Sequence, residues 1–187
     1  MSAGPSGAPL PIIGVIGSSA DSASPAALAA AEAVGLALAR HGASLVTGGR
    51  SGVMEAASRG ARLGGGHPIG ILPSADRRDA NPYVAVAIAT GLGAARGLTL
   101  VRSCDAIILV GGGAGSLVEL GYAYLEARRI IVLRHSGGLA DRLEPFLLDG
   151  LYLDERRLVP LLFAPTPQAA VALALAPPPL AGLPRPR

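Results

Sequence analysis

Short runs of consecutive aliphatic residues recur along this chain, and most are followed by glycine or a small polar residue and then by a stretch of helical character. Residues 11–16, 44–47, 68–72, 105–110 and 130–133 are runs of this kind. They lack the in-and-out alternation of a half-exposed strand, which predicts strands buried on both faces, as in a parallel sheet. Helices are predicted between them. One runs from the Ser24 cap and Pro25 to His41, where Gly42 stops it. Others cover residues 53–63, ended by Gly64-Gly65-Gly66, residues 91–103 and residues 117–128. Less regular stretches read as a short strand at 83–89, a helix at 139–148, a last strand at 158–163 and a closing helix at 167–176. The alternation predicts an α/β fold: a doubly wound, Rossmann-like parallel sheet with helices on both faces, forming one domain over residues 11–176. The Gly- and Pro-rich ends, residues 1–10 and 177–187, read as disordered.

Composition narrows the chemistry. Aromatic residues make up 3% of the chain and Trp is absent, so the core is aliphatic and base-stacking platforms are not expected. All 16 basic residues other than His are Arg. The lack of Lys excludes a Walker lysine, a Schiff-base lysine and a lysine base. With the excess of Ala, Gly and Pro it reads as a high-GC, bacterial coding bias. The net charge of +3 is carried by scattered pairs such as Arg77-Arg78, Arg128-Arg129 and Arg156-Arg157, not by a stripe, so no nucleic-acid partner is expected. The single cysteine, Cys104, rules out an internal disulfide and a cysteine-rich metal site. His41, His67 and His135 are far apart, and no metal site is expected. No apolar stretch is long enough to span a bilayer and no basic n-region precedes an h-region, so the cytoplasm is the expected location.

Three glycine turns fall at the carboxyl ends of predicted strands, where ligands bind in open parallel sheets. Gly17-Ser18-Ser19 follows the first strand, Gly48-Gly49-Arg50-Ser51-Gly52 the second, and Gly111-Gly112-Gly113-Ala114-Gly115-Ser116 the strand at 105–110. A helix start carries unpaired N–H donors and partial positive charge, and glycine lets an anion approach the backbone. The phosphate-binding candidates are therefore Gly17, Ser18, Ser19, Gly48, Gly49, Arg50, Gly52, Gly111, Gly112, Gly113, Ala114, Gly115 and Ser116. Familiar fingerprints are missing. There is no G-x-x-x-x-G-K-[ST], no G-x-S-x-G, and G-x-G-x-x-G counted from Gly111 meets Ser116 at its third glycine. Plainer roles compete with the functional ones. Ser116-x-x-Glu119 is also a capping box. Arg96 also reads as a solvated helix residue, Met54 as core, Cys104 as buried packing, and Asp105 as a strand start near enough to fix Arg102.

Two of the turns resemble a known family. Gly112-Gly113-Ala114-Gly115-Ser116-Leu117-Val118-Glu119 is similar to the P-G-G-x-G-T-x-x-E motif of the LOG-like (lysine-decarboxylase-like, SLOG) superfamily, with Gly111 in place of the proline and Ser116 in place of the threonine. Gly48–Glu55 resembles the family's earlier G-G-G-x-x-G-x-M element. Arg50 within it, and the stretch from Asn81-Pro82-Tyr83 to Arg96, resemble the molybdenum-cofactor carrier branch. The resemblance covers residues 11–135. In the phosphoribohydrolase members it implies catalytic roles for Glu119 and Arg96 in cleaving the N-glycosidic bond of nucleoside 5′-monophosphates. In the carrier branch it implies binding of a phosphorylated nucleotide-like or pterin-type ligand, with molybdenum cofactor the named candidate. No cofactor is required on this reading; the bound species is AMP-like or molybdenum cofactor. The helix at 117–128 is apolar nearly all round, which together with the resemblance implies a homo-oligomer, dimer or tetramer.

Overall fold

The order of the strands in space decides where this chain can hold a ligand. In the computed structural model, which describes residues 9–177, seven strands are present: β1 (Ile12–Gly17), β2 (Ser44–Thr47), β3 (Ile69–Leu72), β4 (Val86–Ala89), β5 (Ala106–Val110), β6 (Arg129–Leu133) and β7 (Leu161–Ala164). They form one sheet in the order β4-β3-β2-β1-β5-β6-β7, and every neighbouring pair is parallel. The winding reverses between β1 and β5, so a crevice opens beyond their carboxyl ends.

Helices α1 (Pro25–Arg40), α2 (Val53–Leu63) and α5 (Pro167–Leu175) cover one face, where Val34, Leu38, Val53 and Val171 pack on Ile13, Val15, Ile108 and Ile131. Helices α3 (Arg96–Arg102) and α4 (Ala114–Leu125) cover the other, with Leu100, Leu120 and Tyr124 on Ile107, Leu109 and Ile130. All five residues of β5 are buried, which is why its sequence is an unbroken apolar run. The Ser24 hydroxyl accepts from the Ala27 amide and Pro25 occupies the first turn of α1, as the sequence predicts. His41 caps the far end, its Nδ1 2.8 Å from the Ala37 carbonyl.

Several boundaries differ. The expected helix at 139–148 is a set of turns with one 3-10 turn at Glu144–Phe146. Its first amides, Leu139 and Ala140, donate to Gly112 and Gly111 instead of starting a helix, and Pro145 lacks an N–H for continuing one. The expected helix at 91–103 begins as a 3-10 turn at Gly93–Ala95 and becomes α only at Arg96, because Gly91 and Gly93 take positive φ. The strand at 83–89 is ordered as β only from Val86, and the last strand is Leu161–Ala164. Asp105 does not fix Arg102: its carboxylate accepts from the Ile12 amide at 2.8 Å, while Arg102 pairs with Glu126. The expectations of disorder at 1–10 and 177–187 fall almost wholly outside the described residues.

Candidate functional site

Helix α4 begins at Ala114, three residues before the sequence suggests, with Gly113 as its cap. The earlier start overturns the capping-box reading. Ser116 stands inside the first turn, and its hydroxyl donates to the Gly17 carbonyl at 3.0 Å, tying α4 to the end of β1. The glycines before it turn sharply, with φ of 63° at Gly111 and 100° at Gly112. Their amides are already engaged. Gly111 N–H donates to the Ser136 hydroxyl and Gly112 N–H to the Ser18 hydroxyl, each at 2.8 Å. The next four amides, Gly113 to Ser116, meet no acceptor among the described residues. They are the free donors of a helix start, with its partial positive charge. Positions where a Cβ would stand on Gly113 or Gly115 have no atom within 4 Å.

These amides open on a cleft of about 380 Å³ at the carboxyl ends of β1, β2 and β5. Its floor is Val15, Ile16 and Gly17, and its walls come from Gly48, Met54, Ala94 and Val118. Arg96 and Glu119 are the titratable groups lining it. Arg96 Nη1 lies 2.8 Å from Glu119 Oε1, and the two side chains are 14% and 12% exposed. Burial pushes the Glu119 carboxyl above the usual carboxylate range, and the charge of Arg96 beside it pulls it part of the way back. The contact balances charge but is poorly aligned, so Arg96 Nη1 is a buried donor with no hydrogen-bond acceptor among the described residues. Two glycines make room for the pair. A Cβ on Gly97 would stand 3.0 Å from Glu119 Cγ, and one on Gly48 would overlap the Arg96 guanidinium.

The structure thus gathers Gly17, Ser19, Gly48, Arg96, Gly113, Ala114, Gly115, Ser116 and Glu119 around one cleft. Ser18, Gly111 and Gly112 shape the turn through buried hydrogen bonds. Gly49, Arg50 and Gly52 form the β2–α2 turn, and they do not line the cleft. Gly49 N–H donates to Thr47 Oγ1, and Asn81 braces the turn through the carbonyls of Gly49 and Arg50. Arg50 is exposed. Met54 is half-buried and lines the cleft, where core packing was expected. Ser136 was not a sequence candidate: it lies 25 residues from the amide it binds, and no motif marks it. Cys104 is buried, its thiol is pushed up to about 12 chiefly by burial, and it plays the packing role expected. Among the described residues no cluster of His, Cys, Asp or Glu is arranged to hold a metal ion, and no helix is long and apolar enough to cross a membrane.

A sequence profile of the SLOG cluster4 family matches residues 10–170. The chain belongs to the SLOG cluster4 family. An uncharacterized protein of Archaeoglobus fulgidus is 41% identical over 102 residues, which are 54% of this chain and 66%, just under two thirds, of that relative. The molybdenum cofactor binding protein of the phototrophic bacterium Rippkaea orientalis is 36% identical, with a TM-score of 0.76 over 88% of this chain and 95% of that one. The molybdenum cofactor carrier protein of Chlamydomonas reinhardtii is 32% identical, with a TM-score of 0.72 over 87% of this chain and 94% of that one. The resemblance carried by the two glycine motifs therefore holds, for the superfamily and for the carrier branch within it.

Proposed function

We propose that this SLOG protein binds molybdenum cofactor, or a closely related phosphorylated pterin, as cargo, with the phosphate on the amides of Gly113, Ala114, Gly115 and Ser116. The observation that carries the reading is that these four donors meet no acceptor among the described residues and face a cleft of about 380 Å³. The volume lies in the range of small-molecule sites. Likeness to cofactor-binding relatives over nearly the whole described chain supports the ligand class. The open space above Gly113 and Gly115 is a cradle that any side chain would fill. In this reading Ser18, Ser136 and Ser116 hold the turn while the cofactor brings its own metal.

The test is a titration with cofactor released from a molybdoenzyme, followed by quenching of pterin fluorescence. Saturable binding that is lost in Gly113→Val supports the reading. Binding unchanged in that variant removes the turn from it.

A second reading, nucleoside 5′-monophosphate phosphoribohydrolase, is favoured by the carboxylate of Glu119 in the same cleft as the free amides. Cleavage of the N-glycosidic bond builds positive charge on the ribose, which a carboxylate stabilises while water adds to the anomeric carbon and the base leaves with a proton. Arg96 would polarise the leaving base. Incubation with AMP and N6-substituted AMP distinguishes the two: release of free base and ribose 5-phosphate that disappears in Glu119→Ala selects the hydrolase.

We also infer that the protein works in the cytoplasm as a homo-oligomer. Leu117 and Leu125 lie on the outer face of α4, each about half exposed (47% and 49%), as expected of a helix face that packs on a second subunit.

A further inference from the structure

The cleft holds one cation and one carboxylate side by side, and neither has its hydrogen-bonding capacity filled. Among the described residues Arg96 Nη1 is sealed against Glu119, 2.8 Å from Oε1 but out of hydrogen-bond geometry, while Nε and Nη2 make no hydrogen bond and are not sealed, so they are the donors open to the cleft. No hydrogen bond from any other described residue reaches the Glu119 carboxylate, and Glu119 Oε2 is not among the buried unsatisfied atoms, so it has access to the cleft. The remaining cleft lining is apolar side chains, glycine, alanine and serine. The two charged groups are held in register by their surroundings: Gly48 lies under the guanidinium and Gly97 against Glu119 Cγ.

We infer that Arg96 and Glu119 together read the edge of a 2-amino-4-oxopyrimidine ring, the edge shared by pterins and guanine, and reject adenine. This rests on the cleft being the ligand site, as proposed above. The argument is one of donor and acceptor order. A 2-amino-4-oxopyrimidine presents a carbonyl oxygen, then a ring N–H, then an exocyclic NH₂. The guanidinium donates to the carbonyl, and the two carboxylate oxygens accept from the N–H and the NH₂. Adenine presents an NH₂ and then a ring nitrogen with a lone pair. In the same place its ring nitrogen would face a carboxylate oxygen, and the guanidinium would face a donor. Both contacts are repulsive, and both leave buried groups unpaired, which is the condition under which a polar site discriminates strongly.

The experiment compares GMP, IMP and AMP on the wild-type protein by calorimetric titration. IMP keeps the carbonyl and the ring N–H and lacks the NH₂. The expected order is GMP tightest, IMP intermediate and AMP weakest, with GMP over AMP roughly tenfold or more. Glu119→Gln should erase most of the GMP preference, because its amide presents one acceptor and one donor where the ring presents two donors. Should that variant fail to fold, the three-ligand order on the wild type decides alone. Equal affinities for GMP and AMP, with both lost in Gly115→Asp, would overturn the inference and leave the phosphate cleft standing. Failure of all three nucleotides and of molybdenum cofactor to bind would remove the cleft reading and the inference with it.

Discussion

Gly48, at the end of β2, lies directly under the guanidinium of Arg96, 48 residues further along the chain; a methyl group built on Gly48 would overlap Nη2. The ion pair in the cleft therefore depends on a residue that carries no charge. Its counterpart is Gly97, whose missing Cβ leaves Glu119 Cγ its place at 3.0 Å. Gly48→Ala is expected to push Arg96 away from Glu119. The protein should lose about 1–3 kcal/mol from overpacking, and ligand affinity should fall about tenfold, the loss of one hydrogen bond to a charged group. A urea titration and a ligand titration on the same preparation measure both. Gly97→Ala should be milder, because Glu119 Cγ needs to move only a few tenths of an ångström.

Gly115→Asp separates binding from stability. The new carboxylate would stand in open space in the first turn of α4, where the helix end favours negative charge. Stability should hold or rise, by about 0.3–1 kcal/mol, while the same charge repels a phosphate from the free amides. A thermal melt with an unchanged or higher midpoint, alongside lost binding, is the expected pair of results. A variant that melts early would show that the turn tolerates no side chain there.

Ser18→Ala and Ser136→Ala each remove the acceptor of a buried glycine amide, Gly112 and Gly111 respectively. Each should cost about 1–3 kcal/mol, the usual penalty for orphaning a buried donor. The midpoint of urea unfolding should fall with an unchanged slope. Because the two hydroxyls fix adjacent residues of one turn, the double variant should depart from additivity.

Protonation of Glu119 gives two opposite pH dependences. Its carboxyl is raised by burial, so the folded chain holds that proton to a higher pH than the unfolded chain does. Between the ordinary carboxylate pKa and the raised one, the folded state binds more protons, and this group's contribution to stability falls as pH rises. Ligand recognition by the ionised carboxylate runs the other way: GMP affinity is full above the raised pKa and declines as pH drops through it. A titration series across that window should show the decline in the wild type and a flat profile in Glu119→Gln.

The outer face of α4 predicts assembly. Light scattering of the full chain should give at least a dimer mass, and Leu125→Glu should reduce it toward one chain, since a charge buried at a subunit contact without a partner is costly. A monomeric wild type at working concentration would remove the oligomer from the account.

The sequence by itself determined the fold class and the neighbourhood of the site. Unbroken apolar runs such as Ala106–Val110, too short for a buried helix and ended by glycine, fit strands of a parallel sheet covered on both faces, and the glycines at their ends mark where the backbone turns tightly. The Gly112–Glu119 and Gly48–Glu55 patterns carried the family as well, because both are local and their spacing survives in the linear order. Tertiary structure decided which of those glycines offer donors. Gly111 and Gly112 have their amides occupied by hydroxyls from residues 25 and 94 positions away, and the chain gives no local sign of either contact. It also decided that α4 starts at Ala114, where the weak helix formers Gly115 and Ser116 are held by a bond from Ser116 to the end of β1. The pairing of Arg96 with Glu119 in the space left by Gly48 and Gly97 is of the same kind. Periodicity and turn chemistry are set by neighbours in sequence, whereas vacancy, burial and charge pairing are set by neighbours in space, and those exist only once the strands have been ordered.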